Sequence, residues 1–328
     1  MPAQSKEEKQ LQEVLSVIHK KYGAGSLIDY GSVDKIEPIE TISTGLATLD
    51  LILGGGVPRG RIMELFGSYS SGKTTMALQM LAKCQKAGKK VAFLDLENSL
   101  DPEYAQKMGV DMHNLLLSQP NSGEEAMDIV EKLCQSNQIS CIVIDSVAQL
   151  VPMAVAAKEI DGTANMATTA RLLSQTLPRI SNAAARSGTV LIFINQIRSS
   201  LSMYGSPTLT PGGYALKFAS SIRLEVASGK VEERNGKEGC VIKVTVKKNK
   251  IARPFRKAEL FLIYGEGFDV MQIMFDTALY TGLIEQAGGW FTYGEIKEQG
   301  FQKLCDKLKA DDKILKEIED KLSKIKIK

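Results

Sequence analysis

The chain has 328 residues, of which 44% are hydrophobic and 24% are charged, and its formal net charge at pH 7 is +3. This length predicts one large domain of over ~200 residues with smaller pieces at its ends, and the composition is typical of a globular protein. No apolar run approaches the ~20 residues that span a bilayer, and the N-terminus is too charged for a signal peptide. We therefore expect a cytoplasmic protein rather than a membrane or secreted one.

The five cysteines are an odd number and include no C-x-x-C pair. This pattern favours reduced, mostly buried thiols over disulfides or a zinc site. His19 and His113 lie far apart without a metal-ligand pattern. A net charge of +3 does not by itself indicate a nucleic-acid partner.

Residues 1–36 contain an amphipathic pattern. Leu11, Val14, Leu15 and Ile18 fall at positions i, i+3, i+4 and i+7, which predicts a helix that ends near Lys21. A lone helix this short is not stable in water. Its apolar stripe is expected to dock on the protein's own core or on a neighbouring subunit.

Residues 67–74 fit the phosphate-binding pattern G-x-x-x-x-G-K-[ST]. An apolar strand at 62–66 precedes the loop and a helix at 75–87 follows it, which is the context that the loop's mechanism requires. Backbone N–H groups wrap the β-phosphate, the lysine reaches the β and γ oxygens, and the threonine is a ligand for Mg²⁺. For the bare pattern, the alternative is a chance glycine-rich turn. The residues predicted to bind ATP here are Gly67, Ser68, Tyr69, Ser70, Ser71, Gly72, Lys73 and Thr74.

From residue 37 to residue 269 predicted strands alternate with helices. Short apolar runs at 91–95, 141–145 and 190–194 suit strands covered on both faces. They predict an α/β fold whose mostly parallel central sheet has helices on both faces. Alternating runs at 222–226, 241–247 and 259–263 predict an antiparallel extension of the sheet. Residues 270–328 are expected to form a small C-terminal α+β domain with a basic tail, since no acid follows Asp320.

Polar residues at the ends of three strands suggest further parts of an ATPase. Asp145 ends an apolar strand and is expected, with Thr74, to hold Mg²⁺, usually through water. Glu97 lies just past another strand and is placed to polarise the attacking water, although it also suits a solvated loop carboxylate. Gln196 ends a third strand, where a neutral amide could sense the γ-phosphate; its chemistry alone leaves that role open.

Several segments closely resemble the bacterial RecA recombinases. They are DLENSLDPEY at 95–104, IDSVA at 144–148, FINQIR at 193–198, KNKIA at 248–252, TISTG at 41–45 and YGEG at 264–267. The likeness covers about residues 8 to 300, and the combination is far more specific than a P-loop. It implies a RecA-type P-loop core at 37–269 and a polymerisation role for residues 1–36.

The resemblance also implies a function. Members are DNA-dependent ATPases that form helical filaments on single-stranded DNA, pair it with homologous duplex DNA and exchange strands in recombinational repair. Their nucleotide lies between adjacent subunits. Carried over, Thr75 joins Lys73 and Thr74 in holding the phosphates and Mg²⁺. Asp101, Tyr104, Tyr264 and Gly265 border the base, with Tyr104 stacked on it. Lys248 and Lys250 reach the neighbour's γ-phosphate; from the residues alone they are a solvated basic strand end.

Two long segments, about 158–169 and 197–213, match the family's DNA-binding loops. Such long aperiodic stretches in a compact core are usually functional or mobile. The residues that the resemblance assigns to DNA are Met166, Arg171, Ser174, Arg179, Arg198, Ser199, Leu201, Gly212 and Gly213. For Met166, simple loop packing is an equal alternative. Backbone contacts carry no base code, so binding is expected to be nearly sequence-independent and strongly salt-dependent.

The chain departs from the family pattern at four places. Ser68–Tyr69 replace the usual Pro-Glu of the P-loop, which puts the hydrolysis rate or its coupling to DNA in question. Asn98 stands where many relatives have His, and Pro178 replaces a basic residue for which Arg179 is expected to compensate. The C-terminus is basic where relatives often have an acidic tail, which predicts freer capture of duplex DNA.

Two other functions share this P-loop fold: a hexameric helicase-type motor, and a regulatory filament that serves as a scaffold with little exchange activity. In the family, mediator proteins load the filament, and the filament stimulates repressor cleavage in the SOS response. The sequence does not decide whether this chain has either partner.

Overall fold

The computed structural model describes residues 6–23, 26–27, 38–153, 165–199 and 208–325. The chain divides into two compact units, residues 1–39 and 40–328. The first unit contains helix α1, Lys6–Tyr22, which confirms the predicted amphipathic helix. Its residues Leu11 and Val14 are 58% and 55% exposed. The docking of this stripe stays a prediction, as do the domain boundaries inferred from the sequence.

The second unit is built on a nine-stranded sheet with the order β13-β12-β11-β10-β3-β7-β6-β4-β5. Its strands are β3 Ile62–Gly67, β4 Lys90–Asp95, β5 Leu115–Ser118, β6 Ile139–Asp145, β7 Val190–Gln196, β10 Ile222–Arg234, β11 Lys237–Asn249, β12 Lys257–Ile263 and β13 Gly267–Phe268. Strands β10, β3, β7, β6, β4 and β5 run parallel to one another. Strands β11, β12 and β13 add antiparallel neighbours, as predicted.

Helices cover both faces of this sheet. The helices of the unit are α2 Ala47–Leu53, α3 Lys73–Lys86, α4 Pro102–Lys107, α5 Gly123–Gln135, α6 Asn165–Ser187, α7 Gly213–Ala219, α8 Val270–Tyr280, α9 Phe301–Lys309 and α10 Asp312–Lys324. In β4, Val91 and Phe93 face one buried cluster and Ala92 and Leu94 face the other. Because successive strand residues point to opposite faces, this division explains the continuous apolar runs in the sequence.

The C-terminal part has a core of its own. After α8, the short strands β14 Glu285–Ala287, β15 Trp290–Tyr293 and β16 Ile296–Gln299 form an antiparallel sheet. Phe275, Leu304 and Ile318 are fully buried in this cluster. The fold class is therefore as predicted: an α/β core with a small C-terminal α+β part. Two further short strand pairs lie within the described residues: β1 Thr41–Ile42 with β2 Val57–Pro58, and β8 Arg198–Ser199 with β9 Thr208–Leu209.

All five cysteines are buried and free of disulfides, as predicted. Within the described residues, no helix has both the length and the apolar character needed to cross a bilayer.

The parallel strands set the position of the predicted site. Strands β3, β4, β6 and β7 end at Gly67, Asp95, Asp145 and Gln196. Parallel neighbours end on the same side of a sheet, so these residues lie along one border, which we call the carboxyl edge.

The loop before β2 is closely packed at Gly56, and a substitution there tests this packing. Its φ is +115°, and a Cβ placed there would lie 2.4 Å from the carbonyl oxygen of Ile42. We expect Gly56→Ala to lower the free energy of unfolding by about 1–3 kcal/mol, because the side chain adds both a clash and backbone strain. Guanidinium denaturation measures this. Gly289→Ala is the control, because nothing lies within 4 Å of that Cβ and its φ is ordinary; equal stability of the two variants would contradict the analysis.

Candidate nucleotide site

The P-loop passes directly from β3 into α3. Gly72 takes a left-handed φ of +86°, which turns the chain into the helix. The side chain of Lys73 is 7% exposed, and its ammonium donates to the carbonyl of Ser68 and, at 3.3 Å, to the hydroxyl of Ser71. Burial lowers the pKa of Lys73, while the nearby carboxylates of Asp145 and Glu97 act to raise it. The Lys73 ammonium thus donates to uncharged oxygens of its own loop, and a bound phosphate would offer it a negatively charged acceptor.

Thr74 and Asp145 lie together as the predicted metal ligands. The Thr74 hydroxyl donates to Asp145 Oδ2 at 2.8 Å. Burial raises the pKa of Asp145 to about 6, and the hydrogen bond from Thr74 offsets only part of this effect. A hydroxyl and a carboxylate are oxygen ligands of the kind that Mg²⁺ prefers, so the donor set fits that ion.

Glu97 follows β4 and forms hydrogen bonds with residues at the ends of β6 and β7. Its Oε1 accepts hydrogen bonds from the hydroxyl of Ser146 and, at 3.0 Å, from Nε2 of Gln196. Asp95 shapes the same loop, because its carboxylate accepts from the N–H groups of Ser99 and Leu100, each at 3.1 Å. Ser146 and Asp95 were not singled out from the sequence. Their position at strand ends beside the predicted acids was the available signal.

The buried side chain of Asn195 holds the backbone of Gln196 in place. The backbone N–H of Gln196 donates to Asn195 Oδ1 at 3.0 Å. Asn195 Nδ2 donates to Glu64 Oε1 at 2.9 Å and to the Pro211 carbonyl at 3.0 Å. Glu64 is fully buried and pairs with Arg223 at 2.5 Å. Asn195, Glu64 and Arg223 were not predicted from the sequence, although a charged residue in the apolar run of β3 was a visible signal.

Two of the four residues predicted to border the base, Asp101 and Tyr104, lie at the start of α4. Asp101 caps this helix by accepting from the N–H of Glu103 at 2.9 Å. The Tyr104 hydroxyl lies 2.9 Å from Thr75 Oγ1, in the first turn of α3. Tyr264, 48% exposed, and Gly265 form the turn after β12 at the carboxyl edge.

The two predicted catalytic lysines are not among these residues. Lys248 is opposite Arg223, near the start of β10. Its ammonium donates to the carbonyls of Lys217 and Phe218 at the end of α7, at 2.7 and 3.1 Å. Lys250 is exposed and follows β11. Both lie at the opposite border of the sheet, which we call the amino edge.

Part of the predicted DNA site is assembled around the start of α7. Gly212 and Gly213 have φ of +86° and +62°, and a Cβ on Gly212 would lie 2.7 Å from Leu173 in α6. Arg171 and Ser174 are exposed on that same helix. Arg179 lies farther along it and pairs with Glu131 of α5, so the structure does not bring it to the glycines. Arg198 and Ser199 form β8. Leu201, the side chain of Met166 and much of both loops are outside the described residues.

Comparison with known proteins decides the family. The family model for the RecA N-terminal domain matches residues 9–269. "Protein RecA" of Thermus aquaticus is 46% identical over 319 residues, which cover 96% of this chain and 93% of that protein. The chain belongs to the RecA family. "Protein RecA" of Aquifex pyrophilus is likewise 46% identical, over 325 residues that cover 98% of this chain and 93% of that protein. The proteins of that name from Thermus thermophilus include one with 44% identity over 319 residues, which cover 96% of this chain and 93% of that protein.

Membership confirms the predicted family and, with the sheet described above, the RecA-type fold. It also confirms that the chain is a DNA-dependent ATPase of recombination and DNA repair, and favours this function over a helicase-type motor. The roles of individual site residues stay predictions.

The raised pKa of Asp145 predicts how stability depends on pH. Between the ordinary value of 3.8 and about 6, the folded protein binds a proton at Asp145 that the unfolded chain does not. Above this window the buried charge lowers stability. Without nucleotide, we expect Asp145→Asn to be more stable than the wild type at pH 7.5, by about 1–3 kcal/mol. The gain should shrink as the pH falls through this window.

Urea denaturation at several pH values measures the effect. Asp320→Asn, which removes a carboxylate from an exposed position, is the control and should have about the stability of the wild type at pH 7.5. A gain for Asp145→Asn that grows toward acid pH would contradict the assignment.

Proposed function

We propose that this protein hydrolyses Mg²⁺-bound ATP at the carboxyl edge only where a second copy supplies Lys248 and Lys250, within a helical filament on single-stranded DNA. The observation that supports this most directly is the separation of the two groups of predicted catalytic residues. Lys73, Glu97 and Gln196 lie at one edge of the sheet, and both strand-end lysines lie at the other.

The register of the strands gives the scale of this separation. The N–H of Ser221, just before β10, donates to the carbonyl of Ile62 at the start of β3. Gly67 lies five residues farther along β3, which corresponds to ~16 Å in an extended strand. The ammonium of Lys248 is hydrogen-bonded beside the start of β10, so it does not serve its own P-loop. A second copy would bring the two edges together.

Within the site, each described residue has a chemical part. Lys73 and the P-loop N–H groups would hold the phosphates, while Thr74 and Asp145 would hold Mg²⁺, which neutralises phosphate charge. Ser146 and Gln196 fix the carboxylate of Glu97, which would orient and polarise the attacking water. Lys248 and Lys250 of the neighbour would stabilise the charge on the γ-phosphate in the transition state.

The amide of Gln196 suits a sensor of the γ-phosphate. Its Nε2 now donates to Glu97 at 3.0 Å, and a γ-phosphate is a stronger acceptor for the same N–H group. ATP would then favour the DNA-binding state, and hydrolysis would release it. Gly212 and Gly213 would present backbone N–H groups to DNA phosphates, with Arg171 nearby. We also propose that the protein acts in the cytoplasm.

A mixing experiment tests the shared site. Glu97→Gln removes the water-activating carboxylate, and Lys250→Ala removes a lysine of the other edge. Each variant alone should be almost inactive. In an equal mixture on single-stranded DNA, about one interface in four joins two intact halves, so activity should recover to about a quarter of the wild-type rate.

The matched control mixes Glu97→Gln with Lys73→Ala. Both changes affect the carboxyl-edge half of the site, so no interface contains an intact carboxyl-edge half and this mixture should stay inactive. Steady-state ATP hydrolysis measures both mixtures. If the first mixture recovers no more activity than the control, each subunit has a complete site of its own.

The C-terminal lysines provide a separate test of duplex binding. Residue 321 and its neighbours belong to α10, where Leu322 is 8% exposed, so truncation after Asp320 would damage the fold. Replacing Lys324, Lys326 and Lys328 by Gln keeps the helix. We expect weaker binding to duplex DNA and a shallower dependence of its affinity on salt. The control replaces Lys20 and Lys21 of α1; fluorescence anisotropy at several salt concentrations measures both. An unchanged salt dependence would contradict the role of the tail.

A further inference from the structure

A chain of buried hydrogen bonds connects the nucleotide site with the end of the second DNA loop. We call it the Asn195 junction: Asn195, Glu64, Arg223 and the carbonyl of Pro211. Asn195 and Glu64 are both 0% exposed, and Pro211 is buried. On one side the junction is bonded to Gln196, and on the other it ends one residue before Gly212.

The hydrogen-bonding groups of Asn195 are fully engaged. Oδ1 accepts from the N–H of Gln196 at 3.0 Å, while Nδ2 donates to Glu64 at 2.9 Å and to Pro211 at 3.0 Å. A side-chain amide has two N–H donors, so both are in use. Because buried groups without partners are costly, the junction cannot lose one of these bonds freely. Its members must move together or stay in place.

One end of the junction is anchored more firmly than the other. Glu64 lies in the central strand β3, and its second oxygen accepts from Arg223 Nε at 2.5 Å. The Arg223 guanidinium also stacks on the ring of Phe66, at 4.5 Å from its centre. Pro211, by contrast, belongs to the connection between β9 and α7. Of the two partners of the Asn195 amide, the Pro211 carbonyl is therefore the one that is not held in the sheet.

We propose that Asn195 is a positioning residue that couples the Gln196 amide to the second DNA loop through the Pro211 carbonyl, with Glu64 and Arg223 as its fixed support. The inference rests on the proposed function for the roles of Gln196 and Gly212. If the backbone of Gln196 shifts when its side chain turns from Glu97 toward a γ-phosphate, its N–H moves the amide plane of Asn195 with it. The amide then repositions Pro211 and the two glycines that follow it.

The packing of these glycines makes a small shift effective. A Cβ on Gly212 would lie 2.7 Å from Leu173, and one on Gly213 would lie 3.1 Å from Ala170. The start of α7 therefore presses on α6, the helix that follows the first DNA loop. Movement at Pro211 would reach both loops, because close-packed contacts transmit displacement rather than absorb it.

The test compares DNA affinity with and without a non-hydrolysable ATP analogue. Fluorescence anisotropy of a labelled oligo-dT gives the dissociation constant of the full chain without and with the analogue. The first constant divided by the second is the ratio that measures the coupling. Asn195→Asp keeps an acceptor for the Gln196 N–H but places an oxygen against Glu64 and Pro211. We expect its ratio to fall by about tenfold or more, since the change breaks buried hydrogen bonds. The affinity for a fluorescent ATP analogue without DNA should change less than about threefold.

Glu64→Gln is the second variant and loosens the support from the other side. In either orientation of the new amide, one of its bonds to Asn195 or Arg223 is lost, so the ratio should fall again. Asp50→Asn is the matched control: it removes another hydrogen-bonded carboxylate, held by Ser43 and by the Thr44 N–H at 2.7 Å, that has no link to Gln196. It should keep the wild-type ratio.

The outcomes separate the coupling through the Asn195 junction, which we call the relay, from the proposed function on which it rests. A wild-type ratio of one would overturn the proposed ATP-dependent grip on DNA, and the relay with it. A high wild-type ratio that both variants retain would overturn the relay alone. Loss of the ratio in Asp50→Asn as well would show that removal of any hydrogen-bonded carboxylate changes the coupling, which would overturn the role of the junction.

Discussion

The alignment of parallel strand ends is the constraint on which this structure depends. Because β3, β4, β6 and β7 run in one direction, their polar ends meet at a single edge. The P-loop, Asp145, Glu97 and Gln196 are therefore neighbours although they are far apart in sequence. The apolar interiors of the same strands fill two cores and fix the register. Any slip of one strand would move its functional residue away from the others.

This arrangement concentrates charges that burial disfavours. Burial raises the pKa of Asp145 and lowers that of Lys73, so both groups would be more stable as ions in water. A site that holds such charges in place before its ligand arrives has little reorganisation left to do when charge develops on a phosphate. The buried charges are accordingly a cost to the stability of the free protein, and the nucleotide that we propose binds here would raise that stability by mass action.

The sequence predicted the elements well where a local pattern decided them. The apolar runs gave strands β4, β6 and β7, and the P-loop gave the turn from β3 into α3. It did not reveal the partners of those residues. Ser146, Asn195 and Glu64 act through contacts between strands, and Asn195 bonds to Glu64 across 131 positions in sequence. Residue spacing along the chain contains no information on which neighbouring strand a side chain will meet.

The position of Lys248 and Lys250 gives the proposed assembly its form. A catalytic group at one edge and its complement at the other make two different surfaces, so contact between copies is head-to-tail. Such contacts repeat without limit unless the rotation between copies closes a ring. Each added subunit would then complete one site and offer one incomplete site to the next. The Asn195 junction would report to the DNA loops whether such a site holds a γ-phosphate. Filament growth, DNA binding and ATP hydrolysis would then all depend on the contact between the same two edges, so a change in one would change the other two.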